Sequence, residues 1–215
     1  MKRPRVIMAD DHSLILAGLR KLVEADCDVV ASVEDGRGLL EAAQRTSPDL
    51  ILLDISMPLL NGLDAARQLT KIVPECKLIF LTMHANPAYA TEAFQAGASA
   101  YLLKRSAATE LQQAIRAALS GQYYLTPLIT KDVLGSVLNR TKGKRGDSAS
   151  TALTSRQREV LQLVAEGRGT KEIASILHVT VKTVEFHKAG IKRQLDLRST
   201  AELTKYALTE GLIGM

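Results

Sequence analysis

Only two cysteines, Cys27 and Cys76, occur in 215 residues. Each lies beside acidic residues and neither has metal-ligand spacing, so neither a disulfide framework nor a structural zinc site has support. Long hydrophobic runs are missing too. The longest apolar stretches, such as Leu50 to Leu53 and Leu78 to Leu81, fall far short of the roughly 20 residues that a bilayer crossing takes. Glycine (14) and proline (6) stand at ordinary levels, which excludes a collagenous or low-complexity chain, and no internal repeat is present. Met1-Lys2-Arg3-Pro4-Arg5 leads straight into a strand-like run, so the expectation is a cytoplasmic protein that touches no membrane. What is there has the balance of a globular protein, 46% hydrophobic and 24% charged residues. The length suits one large or two modest domains.

Charge is distributed unevenly along the chain. Residues 1–120 carry 13 Lys+Arg against 14 Asp+Glu, whereas residues 121–215 carry 15 against 9. The excess of positive charge belongs to the second part, as expected of a unit whose partner is nucleic acid. The first part alternates between short β-rich runs and longer segments of helical period. Five strands are expected (5–9, 28–33, 50–53, 77–82 and 100–103), each followed by a helix (14–24, 38–45, 62–72, 87–96 and 107–120). That order specifies an α/β fold, a doubly wound parallel sheet of five βα units in the flavodoxin-like manner, with residues 1–121 as its domain. Residues 122–148 read as a linker with one short helix at 131–138. The polar run that follows, as far as Ser150, has too little apolar surface to pack and is expected to be mobile. Residues 149–215 read as an all-α domain of four helices (155–166, 171–177, 181–194 and 200–209). The turn His178-Val179-Thr180 has helix-turn-helix length, and Thr180 is placed to cap the third helix.

Asp10 and Asp11 directly follow the first strand and Asp54 the third. In a doubly wound sheet these points share the carboxyl edge, where ligands bind at a topological switch point. Three carboxylates there call for a hard divalent cation with oxygen ligands, and Mg²⁺ is expected. Thr82 and Lys104 end the fourth and fifth strands at the same edge. A carboxylate beside a cation, a hydroxyl and an ammonium is equipment for accepting a phosphoryl group, with Asp54 as nucleophile. Considered singly, each of these residues has a plainer role as a cap, a strand end or a solvated charge.

These residues carry a resemblance. Asp10-Asp11, Leu52-Leu53-Asp54-Ile55-Ser56-Met57-Pro58 with Asn61-Gly62, Thr82, and Ala100-Tyr101-Leu102-Leu103-Lys104 occur in order, and residues 4–120 resemble the receiver domain of two-component response regulators. The resemblance implies that Asp54 is phosphorylated by a sensor histidine kinase. It implies that Asp11, Asp54 and the Ser56 backbone carbonyl hold Mg²⁺, with Asp10 helping through water, and that Thr82 and Tyr101 are switch residues. A phosphoryl group on Asp54 would draw the Thr82 hydroxyl inward and leave space for Tyr101 to rotate toward the core. Arg105 stands where many receivers have proline.

The second unit carries Leu153-Thr154-Ser155-Arg156-Gln157-Arg158-Glu159-Val160-Leu161, then Gly167, Lys171-Glu172-Ile173-Ala174, Leu177, Thr183-Val184, His187, Ile191 and Leu195. Residues 153–209 resemble the LuxR-type helix-turn-helix domain of the NarL/FixJ class of response regulators. In the third helix Val184, Ile191 and Leu195 form an apolar stripe, and other faces remain for the major groove of double-stranded DNA. The candidate DNA contacts are Lys171, Lys182, Thr183, Glu185, Phe186, Lys188, Lys192 and Arg193. Glu185 and Ala189 replace residues that are often basic in the family, which should alter base preference. His187 is expected to be a packed structural residue rather than a metal ligand. The resemblance further implies a homodimer paired through the last helix, and RNA polymerase as a further partner. The reading is a phosphorylation-controlled transcription factor, not an enzyme with small-molecule turnover. A Mg²⁺-dependent phosphohydrolase would place its nucleophile after the first strand in an Asp-x-Asp pattern, which Asp10-Asp11-His12 lacks. A constitutive DNA-binding protein would not need all of Asp10, Asp11, Asp54, Thr82 and Lys104.

Overall fold

The computed structural model describes residues 3–142 and 153–213. Its first part contains the five expected βα units: β1 (Arg5–Ala9), α1 (Ser13–Val23), β2 (Asp28–Val33), α2 (Gly36–Thr46), β3 (Leu50–Leu53), α3 (Gly62–Ile72), β4 (Lys77–Thr82), α4 (Pro87–Gln95), β5 (Ala98–Leu103) and α5 (Ala107–Leu119). All strand pairs are parallel. The order β2-β1-β3-β4-β5-β6 reverses direction between β1 and β3, which creates the crevice at the ends of those two strands.

Alternation along the strands divides the core in two. Ile7, Ile51, Leu53, Phe80 and Tyr101 face a cluster shared with α2, α3 and α4. Val6, Met8, Leu52, Ile79 and Leu102 face the opposite one, shared with α1 and α5. Both sheet faces are therefore covered, and this is why the strands read as continuous apolar runs.

Two expectations are corrected. The sheet has a sixth strand, β6 (Tyr124–Leu125), paired with β5 in the segment expected to be linker. Its anchor is Thr126, fully buried, whose backbone N–H donates to Tyr101 O at 3.0 Å. The Thr126 hydroxyl accepts from Leu103 N at 3.2 Å and donates to Glu110 Oε2 at 2.9 Å. The helix after it, α6 (Pro127–Lys142), extends beyond the expected 131–138 at both ends. It packs rather than floats, because Ile129 and Val133 are buried in the α2–α4 core. Residues 143–152, which include most of the polar run expected to be mobile, lie outside the described residues.

The second part consists of α7 (Ser155–Ala165), α8 (Thr170–Ile176), α9 (Val181–Gln194) and α10 (Thr200–Thr209). Thr154 and Gln157 form a capping box at α7, Thr180 caps α9, and Ser199 with Glu202 caps α10. These bonds satisfy N–H groups that a helix start leaves free. Val160, Leu161, Ile173, Val184, Ile191, Leu203 and Ala207 close a third core. Both cysteines are inert thiols by environment: burial pushes Cys76 up to about 12 and raises Cys27 as well.

Candidate functional site

Asp10 and Asp54 are fixed by the strands that precede them. Asp10 N donates to Val33 O at 3.1 Å, and Asp54 N donates to Ala9 O at 2.9 Å. Both side chains are buried. The Lys104 ammonium, delivered by the end of β5, lies 2.7 Å from Asp10 Oδ2 and 2.7 Å from Asp54 Oδ2. Burial works against that ammonium, but the Asp54 and Asp10 carboxylates outweigh it and raise its pKa, so Lys104 stays charged. Asp54 Oδ1 accepts from Ile55 N at 2.6 Å.

The rest of the edge is tied together through His84, a residue the sequence reasoning missed. Its Nε2 is 2.8 Å from Ser56 Oγ, its N–H donates to Thr82 Oγ1 at 3.3 Å, and its carbonyl accepts from the Tyr101 hydroxyl at 2.7 Å. Burial lowers the His84 pKa, with Lys104 adding to that and Asp54 opposing it. A histidine two residues beyond a strand-ending threonine was the available signal. Tyr101 is fully buried. Asp10, Asp11 and His12 bring three candidate ligand atoms within 4.8 Å of one another. His12 Nδ1 lies 2.8 Å from Asp11 Oδ1 and 3.3 Å from Asp10 Oδ1. Asp54 and Ser56 share the edge, although Asp54 turns toward Lys104 and is not one of the three.

On the helical side, α9 presents Lys182, Glu185, Phe186 and Arg193 to solvent, and Lys171 of α8 is exposed too. Thr183, Lys188 and Lys192 are half-buried. Glu185 is not idle: it accepts from Thr170 Oγ1 at 2.8 Å and from Lys188 Nζ at 3.2 Å, contacts that lower its pKa. Lys192 Nζ donates to Arg198 O at 3.2 Å, and Thr183 Oγ1 is 2.9 Å from Thr180 Oγ1. Val184 and Ile191 are buried and Leu195 is half-buried, as the apolar stripe requires. His187 is half-buried against Phe186, with ring centroids 5.8 Å apart.

The two parts dock through α7, which nothing in the sequence reasoning anticipated. Arg158 grips Asp64 of α3, Nη2 to Oδ1 at 2.7 Å and Nε to Oδ2 at 3.2 Å. Glu159 accepts from Arg37 at 3.0 Å and from Gln68 at 3.2 Å. Gln162, fully buried, accepts from Asn61 N at 2.8 Å and donates to Met57 O at 2.9 Å. Glu166 accepts from Leu59 N at 3.0 Å. Leu59, at φ 63°, packs on the helical core. Alternate backbone groups of the loop after Asp54 thus find partners on α7, as buried backbone polar groups must. The clue in the sequence was Gln162, a polar residue inside an apolar helical run.

Comparison with known proteins resolves which family joins these parts. Residues 6–116 match the response regulator receiver domain, and residues 151–207 match the bacterial regulatory proteins of the luxR family. The chain belongs to the LuxR-type response regulators. It is 34% identical over 215 residues to the oxygen regulatory protein NreC of Staphylococcus carnosus, spanning 97% of this chain and 99% of that one. It is 36% identical over 213 residues to the transcriptional regulatory protein LiaR of Bacillus subtilis, with 97% and 99% covered. Among solved structures, RcsB from Salmonella enterica serovar Typhimurium, bound to a promoter in the presence of phosphomimetic BeF₃⁻, is 28% identical with a TM-score of 0.59, covering 95% of this chain and 98% of that one. As a LuxR-type response regulator the chain is a DNA-binding transcription regulator, and the family is not one of enzymes that turn over a small substrate. Among the described residues no helix is long and apolar enough to cross a membrane.

Proposed function

We propose that Asp54 accepts a phosphoryl group from a sensor histidine kinase and that this controls pairing of the chain into a homodimer on double-stranded DNA. The observation that carries the reading is the Lys104 ammonium shared between Asp10 and Asp54 at 2.7 Å each. It holds a cation beside the phosphoacceptor, where phosphoryl oxygens arrive. Transfer breaks the phosphorus–nitrogen bond of the phosphohistidine and forms a phosphorus–oxygen bond to Asp54. Lys104 then neutralises a phosphoryl oxygen, and the Thr82 hydroxyl donates to another.

Oxygen donors at one sheet edge suit Mg²⁺, which Asp10, Asp11, Asp54 and the Ser56 carbonyl would hold, with His12 adjoining them. When bound, the ion supplies positive charge to the phosphoryl oxygens. In DNA, α9 enters the major groove. Lys171, Lys182, Thr183, Glu185, Phe186, Lys188, Lys192 and Arg193 supply phosphate and base contacts, and α10 pairs the two copies. The exposure of Lys182, Phe186 and Arg193 while α7 is docked supports this assignment. The working units are residues 1–121, the connector 122–148 and residues 149–215, acting in the cytoplasm with RNA polymerase as a downstream partner.

The test is intact mass after incubation with Mg²⁺ and acetyl phosphate, beside Asp54→Ala. The parent should gain one phosphoryl group and move toward dimer on size exclusion, while the variant gains none. A phosphoryl group on the variant would remove Asp54 from its role.

A further inference from the structure

Helix α9 carries four cations, Lys182, Lys188, Lys192 and Arg193, and a single carboxylate, Glu185. Lys182 and Arg193 are exposed and make no hydrogen bond or ion pair among the described residues. Lys192 donates to Arg198 O at 3.2 Å. Lys188 is tied down more firmly. Its Nζ lies 3.2 Å from Glu185 Oε1 and 3.2 Å from Thr170 Oγ1, and the Thr170 hydroxyl donates to the same Glu185 oxygen at 2.8 Å. The three side chains close a ring that joins the start of α8 to the middle of α9. The Lys188 side chain is 22% exposed and that of Glu185 is 55% exposed, so the lysine is the covered member and the carboxylate the one that meets solvent. Hydrogen bonds from Thr170 and Lys188 lower the Glu185 pKa, which keeps it charged at neutral pH. An exposed ion pair of this kind adds little stability and exchanges partners readily. As a staple between α8 and α9 the ring is weak; as a hold on one cation of the recognition helix it is well placed.

We propose that Glu185 is a specificity-determining residue, one that withholds Lys188 from DNA phosphates until its carboxylate meets a cytosine in the major groove. The inference rests on α9 being the groove helix, as proposed above. An ionised carboxylate only accepts hydrogen bonds. Guanine offers it two acceptors and thymine one, adenine sets an acceptor beside its amino group, and cytosine alone offers an amino group with no acceptor on its own edge. On a cognate site Glu185 turns to cytosine N4, and the Lys188 ammonium, deprived of its carboxylate partner, takes a phosphate oxygen. On any other sequence the carboxylate keeps Lys188 and presents its own negative charge to the DNA backbone. One phosphate contact is thereby made conditional on one base contact, whereas phosphate contacts ordinarily carry no sequence information. Weakening the wrong complexes in this way raises the ratio of specific to non-specific binding.

The experiment measures binding of the full chain, treated with Mg²⁺ and acetyl phosphate, from about 50 to 200 mM KCl. The probes are a pool of random-sequence duplex DNA and the sequences that the parent selects from that pool. Glu185→Gln keeps an acceptor for Thr170 and removes the charge. It should bind the random pool roughly 5- to 20-fold tighter at low salt, with the slope of log K against log salt steeper by about 1, since one more phosphate is neutralised. On the selected sequences it should gain nothing. Lys188→Ala should weaken the selected complexes roughly 10-fold and the random ones less than about 2-fold, and in that background Glu185→Gln should no longer change the slope. Equal slopes for parent and Glu185→Gln overturn the proposal. So does a Glu185→Gln effect that survives without Lys188, which would make it one of net charge alone, and so does a parent selection with no cytosine shared by its half-sites. If Lys182→Ala and Arg193→Ala change binding to neither DNA, the groove assignment of α9 itself has failed and the proposal falls with it.

Discussion

Lys104 decides whether the acidic edge is tolerable. Its side chain is 7% exposed and its two carboxylate partners are 3% and 5% exposed, so removing it leaves two buried anions facing one another. Lys104→Ala should destabilise the chain by about 3 kcal/mol in urea unfolding without divalent cation, in line with the breaking of a buried pair. Mg²⁺ should reduce the loss. The sign of the pH dependence follows from the raised Lys104 pKa. Its stabilisation is full below the unfolded ammonium value of about 10.4 and fades as pH rises through the folded one. The stability curves of parent and variant should therefore converge in strong alkali; a gap that closed near neutral pH would contradict the charge assignment. His84 works on another scale, linking Ser56, Thr82 and Tyr101 by single hydrogen bonds.

At the scale of elements, the loop after Asp54 is set by two helix starts that come unusually close. A Cβ on Gly62 would fall 2.0 Å from Asp54 O, and one on Gly36 would fall 1.9 Å from Leu60 O. The motif Asn61-Gly62 is explained by this. Asn61 caps α3 by accepting from Asp64 N at 2.9 Å, and Gly62 lets the helix start against the Asp54 backbone. Gly62→Ala gains helix propensity of up to roughly 1 kcal/mol, yet overpacking against backbone should outweigh it. A net loss of about 1–3 kcal/mol is expected, seen as a lowered thermal midpoint. An unchanged or raised midpoint would show that the loop gives way freely. The sixth strand and the lengthened α6 belong to this scale as well, because Thr126, Ile129 and Val133 needed burial sites that only the finished sheet and α4 supply.

Across the whole molecule, the docked arrangement is joined by polar contacts rather than by a broad apolar face. Arg158 on Asp64, Glu159 on Arg37 and Gln68, and Gln162 on the loop backbone are its main links. Asp64 also pairs with Arg67 at 2.8 Å, so removing Arg158 loosens docking without stranding Asp64. Arg158→Ala should convert one cooperative calorimetric transition into two and enlarge the radius of gyration. One unchanged transition would mean that the parts are coupled by other contacts. The docked state leaves Lys182, Phe186 and Arg193 of α9 in solvent. Docking at α7 does not bury these α9 residues.

The strands, the order of the βα units, the acidic edge and the helix-turn-helix were legible in the amino-acid sequence because each rests on local periodicity or on short motifs. Continuous apolar runs marked β3 and β4, and Thr180 marked the start of α9. Asp10, Asp54, Thr82 and Lys104 share an edge because each ends or directly follows a strand, and strand ends in a parallel sheet share one edge. The β6 pairing, the inward Tyr101, the His84 links and the α7 dock were decided by tertiary structure. Each depends on a partner far away in sequence: Thr126 on Tyr101, Ser56 on His84, Gln162 on Asn61. No local pattern encodes such a pairing, since a buried polar group acquires its partner only when the chain closes around it.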